Sequence, residues 1–200
     1  MVDTAFIVER THKTFLGTPL LTPEGRDHTF TFGFARDFLR LRRKLGIRAG
    51  TLVIGREAHS LTTDQNIENV ITFLQELKIS YIHDPANAGL KMVGSLLSQF
   101  SHIVTGDKRF LQLPRDDLTV VLVRHSSRDQ CDWVSSDTVR TMMGIAPGDV
   151  PTYLALTEAS NAQALTSRQA VRLIELYGDL DSIYENLAKV GIRPAPKEAC

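Results

Sequence analysis

The stretch His102-Ile103-Val104-Thr105-Gly106-Asp107-Lys108-Arg109-Phe110-Leu111-Gln112-Leu113 decides how this 200-residue chain is read. Its first four residues are mostly β-branched and apolar, as in a buried strand. Gly106-Asp107 then breaks the run and leaves a carboxylate at the strand's C-terminal end. In an open parallel sheet that end is where ligands bind. The spacing therefore predicts a strand over 102–105 and a candidate site beginning at Asp107.

Working outward, short apolar runs alternate with helical patterns. Ala5-Phe6-Ile7-Val8 reads as an opening strand, followed by a loop from Thr11 to Asp27. Phe30, Phe34, Phe38, Leu41 and Leu45 recur at helical spacing, with the basic stretch 40–44 on the solvated face or in contact with nucleic acid. Strands are expected at Thr51–Ile54, Ile79–Ile82 and Thr119–Val123. Helices are expected from a capping box at Thr62-Thr63-Asp64-Gln65, carrying Ile67 to Leu77, and around Met92–Leu97. The character changes after Asp132. A helix over Val134–Met143 capped by Ser135 or Ser136, a break at Pro147–Pro151, and a boxed helix from Thr166 to the stop at Gly178 follow. A last helix spans Asp181–Val190, and Arg193–Pro196 reads as a tail. The pattern predicts an α/β core over 1–130, with a mostly parallel sheet flanked by helices, and a helical region over 131–200.

Composition excludes several classes. Lys+Arg and Asp+Glu both total 23 and the hydrophobic share is 42%, which argues for a globular chain rather than a disordered or bulk-cationic one. The two cysteines, Cys131 and Cys200, make no disulfide framework, and Cys131 reads as packing. MVDTAFIVER lacks a leader pattern, and no apolar run approaches a membrane span. A cytoplasmic setting without membrane attachment is the expectation. The six histidines form no HxxxH or HxH pair, so local spacing predicts no zinc site. No GxSxG or GxxxxGK[ST] motif occurs. Polar candidates at strand ends are Glu9, Gly55–Glu57, Asp84 and Gly106–Arg109.

Val104–Leu113 resembles the VTGDKDLLQL segment of the 5′→3′ exonuclease domain of bacterial DNA polymerase I and the related flap endonucleases. Ala5–Glu9 resembles that family's opening strand, which normally ends in Asp. Leu20-Leu21-Thr22 with Gly25 and Gly33-Phe34 resemble its LTTSxG…YGF stretch, and Leu165–Leu187 its second hairpin helix and the next helix. The resemblance implies a PIN-like 5′-nuclease fold with a reduced helix–three-turn–helix at the C-terminal end. It implies phosphodiester hydrolysis by two cations about 4 Å apart, held by carboxylates because Mg²⁺ and Mn²⁺ take oxygen ligands.

Carried over by position, the first-strand acid falls on Glu9 and the second-strand Asp on Gly55. The acidic helix start falls on Ala88-Gly89-Leu90-Lys91, and the two acids of the GDKD motif fall on Asp107 and Arg109. The S-D-N-x-P segment falls near Pro147–Pro151, with Gly148 at the Asp position and Asp149 one place late. Glu9 and Asp107 thus remain as candidate catalytic and metal residues, joined by Asp149. Cations stand at Lys91 and Arg109, and with Lys108 and Arg56 they could hold a phosphate. The arch segment and the Gly-rich hairpin are also reduced, the latter to Leu156–Ser160.

Three readings follow. The first is a catalytically inactive DNA-binding or scaffolding module, with no cofactor and with DNA or a protein as partner. The second is an active Mg²⁺- or Mn²⁺-dependent 5′ nuclease with a displaced site drawing on Glu57, Asp84 and Asp149. The third is a purely structural interaction protein.

Overall fold

The computed structural model describes residues 1–14, 19–25, 27–47, 49–124, 130–158 and 164–189. The expected tail, Cys200 and Ala159–Ser160 lie outside them. Two compact units are formed: Met1–Lys108 with Val120–Trp133, and Arg109–Thr119 with Val134 onward. Among the described residues no helix is long and apolar enough to cross a membrane.

Six strands form one sheet: β1 (Val2–Asp3), β2 (Leu52–Ile54), β3 (Tyr81–His83), β4 (His102–Thr105), β5 (Thr119–Val123) and β6 (Cys131–Val134), in the order β3-β2-β1-β4-β5-β6. β1 pairs in parallel with β2 and β4, and β2 with β3. The register sets Val2 beside Leu52 and Val104, and Ile54 beside His83. Alternate residues serve different sides. Val2, Leu52, Ile54, Val104, Val121 and Val123 join one core cluster, while Val53, Ile103, Val120 and Leu122 are buried outside it. Burial of both sets explains why the strands read as continuous apolar runs.

The opening strand is the main correction. Ala5–Val8 is not a strand: Ala5–Thr14 is helix α1, and the strand is Val2–Asp3 before it. A run of four apolar residues fits either state. The helix wins because its start is satisfied locally: Asp3 Oδ1 accepts from Ala5 N–H at 3.2 Å, and Thr4 C=O accepts from Ile7 and Val8 N–H. Phe6, Ile7 and Val8 still enter the core. There they meet Phe34, Phe38 and Leu41 of α2 (Thr29–Lys44), Ala58 of α3 (Arg56–Leu61), and Ile67, Val70 and Leu74 of α4 (Asp64–Glu76).

Smaller differences have similar causes. α3, six residues long, is too short for its periodicity to show in the sequence. The N-cap of α4 is Thr63, whose side chain accepts from Asn66 N–H, in place of the Thr62/Gln65 box. β3 begins two residues late, and α5 (Gly89–Gly94) begins before Met92. β6 carries the sheet past residue 130.

In the second unit, α6 (Ser136–Met143) is capped by Ser135 and ends at Gly144, whose φ of 75° is the left-handed conformation glycine adopts readily. α7 (Val150–Thr157) starts with Pro151 in its first turn, where a missing N–H costs nothing. Thr166 forms the expected capping box on α8 (Ser167–Tyr177), and α9 is Leu180–Lys189.

Candidate functional site

The parallel register brings the C-terminal ends of β1, β2, β3 and β4 to one edge of the sheet. Asp3 stands at the end of β1 and is 4% exposed. Because Val2 pairs with Val104, Asp3 lies level with Thr105. The Thr105 hydroxyl donates to Asp3 Oδ2 at 2.8 Å and accepts from Asp107 N–H at 3.1 Å. One hydroxyl therefore links the ends of β1 and β4.

Glu57, near the start of α3, projects toward the same place. Its Oε2 accepts from Gly89 N–H at 2.8 Å. A Cβ at Gly89 would stand 3.3 Å from Asp3 Oδ1 and 3.7 Å from Glu57 Oε2. Asp3, Glu57 and Asp107 are close enough to interact electrostatically. Burial raises the Asp3 pKa to about 6, and the negative charges of Asp107 and Glu57 push the same way. The hydrogen bonds from Thr105 and Ala5 offset part of that rise.

The end of β2 is closed by main chain. A Cβ at Gly55 would lie 2.6 Å from Gly89 N, 2.9 Å from Gly89 Cα and 3.1 Å from Asn87 O. Arg56 N–H donates to Asn87 C=O at 2.9 Å and fixes this approach. The segment holding Asn87 is itself ordered by Asp84. That carboxylate accepts from Ala86 N–H, Asn87 N–H and the Asn87 amide, which hold its pKa below the usual carboxylate range, the Asn87 side chain contributing most. Asp84 is thus engaged with its own loop.

Glu9 does not end the first strand. It lies on α1 and pairs with Lys13 at 2.5 Å. The strand-end acid is Asp3, six residues earlier. Its signal was available: the resemblance expects an opening strand that ends in Asp, and Val2-Asp3 supplies one. Thr105 was inside the decisive stretch, but its role as a bridge needs the register. Glu57, a strand-end candidate and a candidate displaced ligand from the sequence, accepts from Gly89 N–H here.

Arg56, Lys91 and Lys108 are exposed in the first unit, at the start of α3, on α5 and directly after Asp107. Arg109 and Asp149 belong to the second unit. Arg109 C=O accepts from Gln112 Nε2, and Asp149 closes a 3₁₀ turn over Pro147–Asp149. Among the described residues no group of three or more His, Cys, Asp or Glu side chains is arranged to hold a metal ion.

The chain matches no protein-family model. It is 31% identical over 112 residues to DNA polymerase I of Caldicellulosiruptor bescii, a match covering 50% of this chain and 13% of that protein. The match therefore spans a small part of that curated relative's length. Among solved structures, the catalytic core of Rad2 in complex with DNA substrate superposes with a TM-score of 0.63 at 16% identity, over 95% of this chain and 66% of that one. A bacteriophage T5 flap endonuclease in a pseudo-enzyme–product complex with DNA and metal ions superposes with a TM-score of 0.59 at 10% identity. That match covers 94% of this chain and 78% of the endonuclease. The fold is that of the PIN-like 5′ nucleases.

Proposed function

We propose that this chain is a 5′-nuclease-fold module that binds DNA without hydrolysing it. The observation that carries this reading is the backbone closure at Gly55. The resemblance places the second-strand metal ligand there, and the space its Cβ would need holds the main chain of Asn87 and Gly89. The loss is built into the backbone path, so it exceeds a single missing side chain.

The remaining acids do not fit a two-cation centre. Both Asp3 oxygens accept hydrogen bonds from the protein, and Glu57 Oε2 accepts from Gly89 N–H. A hard cation needs several oxygen ligands at once, and among the described residues no group of three or more His, Cys, Asp or Glu side chains is arranged to supply them. Nearby, Lys91 replaces an acid of the expected helix start, and Arg56 and Lys108 add two more exposed cations. Cations around a sheet edge suit phosphate oxygens. The Rad2 and T5 structures, both in complex with DNA, make DNA the partner to test first.

The competing reading is a Mg²⁺- or Mn²⁺-dependent nuclease with a displaced site. One observation favours it: Asp3, Asp107 and Glu57 remain within electrostatic reach of each other.

The test of the binding role is salt-dependent affinity for a 5′-flap duplex. Each phosphate contact contributes about −0.9 to the slope of log K against log[salt]. Arg56→Glu with Lys91→Glu is expected to weaken binding and flatten that slope by about 2. Unchanged affinity in the double variant would remove the phosphate role, and absent or salt-insensitive binding by the parent would move the search to protein partners.

A further inference from the structure

A second cluster, separate from the carboxylates, sits at the outer edge of the sheet. His83 is the last residue of β3 and is exposed. His59 lies on α3, one turn past the end of β2. Because Ile54 pairs with His83, the helix that leaves β2 carries His59 over the end of β3. The two rings point at each other, with Nε2 to Nε2 at 2.8 Å, centroids 5.1 Å apart and planes 16° apart. Behind His59, its Nδ1 lies 3.0 Å from Oδ1 of Asp64, the first residue of α4.

Asp64 fixes the chemistry of the pair. A carboxylate accepts, so His59 Nδ1 carries the proton and Nε2 presents a lone pair. His83 Nε2–H then donates to that lone pair. This is the carboxylate–histidine arrangement that orients imidazole toward a metal, with a proton where the metal would stand. We propose that His59 and His83, backed by Asp64, form a binding site for a borderline transition-metal ion of the Zn²⁺ class.

On binding, His83 moves its proton from Nε2 to Nδ1 of the same ring, and both Nε2 lone pairs face the ion. No redox change is involved. Zn–N bonds of about 2.0–2.1 Å at a tetrahedral angle set the two nitrogens about 3.3 Å apart. The rings must therefore separate by about half an ångström, which the exposed His83 can supply. Water completes the coordination, leaving an open site. Imidazole nitrogen selects Zn²⁺, Cu²⁺ or Ni²⁺ over Mg²⁺. The spacing rule for histidines misses it because the partners are 24 residues apart and meet only through strand register.

The experiment is titration of the full chain with Zn²⁺ alone, followed by Co²⁺ absorption and by the imidazole nitrogen resonances of the unaltered protein. One equivalent is expected to bind, with the Nε2 signals of His59 and His83 shifting. His59→Ala and His83→Ala should each weaken binding at least about tenfold, and Asp64→Asn about 10–100-fold while both ligands remain. Asp107→Ala should leave binding unchanged. Circular dichroism checks that each variant folds. Absence of binding at micromolar Zn²⁺, or binding unaffected by both histidine changes, would overturn the proposal. So would binding lost in Asp107→Ala.

Discussion

Asp3→Asn tests the electrostatics of the sheet edge directly. In the folded chain the Asp3 pKa rises from 3.8 to about 6, first through burial and then through Asp107 and Glu57. A rise of about 2 units corresponds to about 3 kcal/mol. Because Asp3 is 4% exposed, solvent screening removes little of that. The folded state binds this proton more tightly than the unfolded state. The contribution is therefore fully present below about pH 4, fades as pH rises toward 6, and is absent above it. Asp3→Asn stays neutral throughout and removes that decline. The amide nitrogen would face the Thr105 hydroxyl, which can no longer donate there, a pH-independent loss of about 1 kcal/mol. The assay is urea unfolding from pH 4 to 7.5, read as the difference between the two proteins. Carboxylates away from Asp3, such as Asp27 and Asp84, cancel in that difference. The variant should gain about 3 kcal/mol relative to the parent across the range. Parallel curves would refute the account of Asp3 as a buried, charge-crowded acid.

Gly55→Ala places a methyl group 2.6 Å from Gly89 N, and neither backbone can yield cheaply. The expected loss is about 2–3 kcal/mol by chemical denaturation; a neutral result would mean that the end of β2 is open after all. Thr166→Ala removes the reciprocal capping box on α8 and should cost about 1 kcal/mol. Glu57→Gln keeps an oxygen for Gly89 N–H but removes one of the two charges beside Asp3. It should lower the Asp3 midpoint, read as a smaller pH-dependent decline in the same unfolding assay.

The strands were legible because burial on both faces writes itself as apolar runs. His102–Thr105 and Thr119–Val123 carry that signal without ambiguity. Ala5–Val8 carries it too and is helical. Four apolar residues do not distinguish the two states, and the deciding contacts are local bonds to Asp3 and Thr4. That error moved the strand-end acid from Asp3 to Glu9. Asp107 followed from its strand. The closure at Gly55 was invisible, since it depends on how near the Asn87–Gly89 backbone comes. The His59–His83 pair was invisible for a related reason, as parallel register joins residues with no sequence spacing of their own.

The central claim is tested most directly by incubating the chain with a labelled 5′-flap duplex and Mg²⁺ or Mn²⁺, scoring binding and cleavage in one tube. The account predicts salt-sensitive binding, unchanged by the metal, with the DNA left intact. Metal-dependent cleavage that is lost in Asp107→Ala would contradict it and establish a working ion site at the sheet edge.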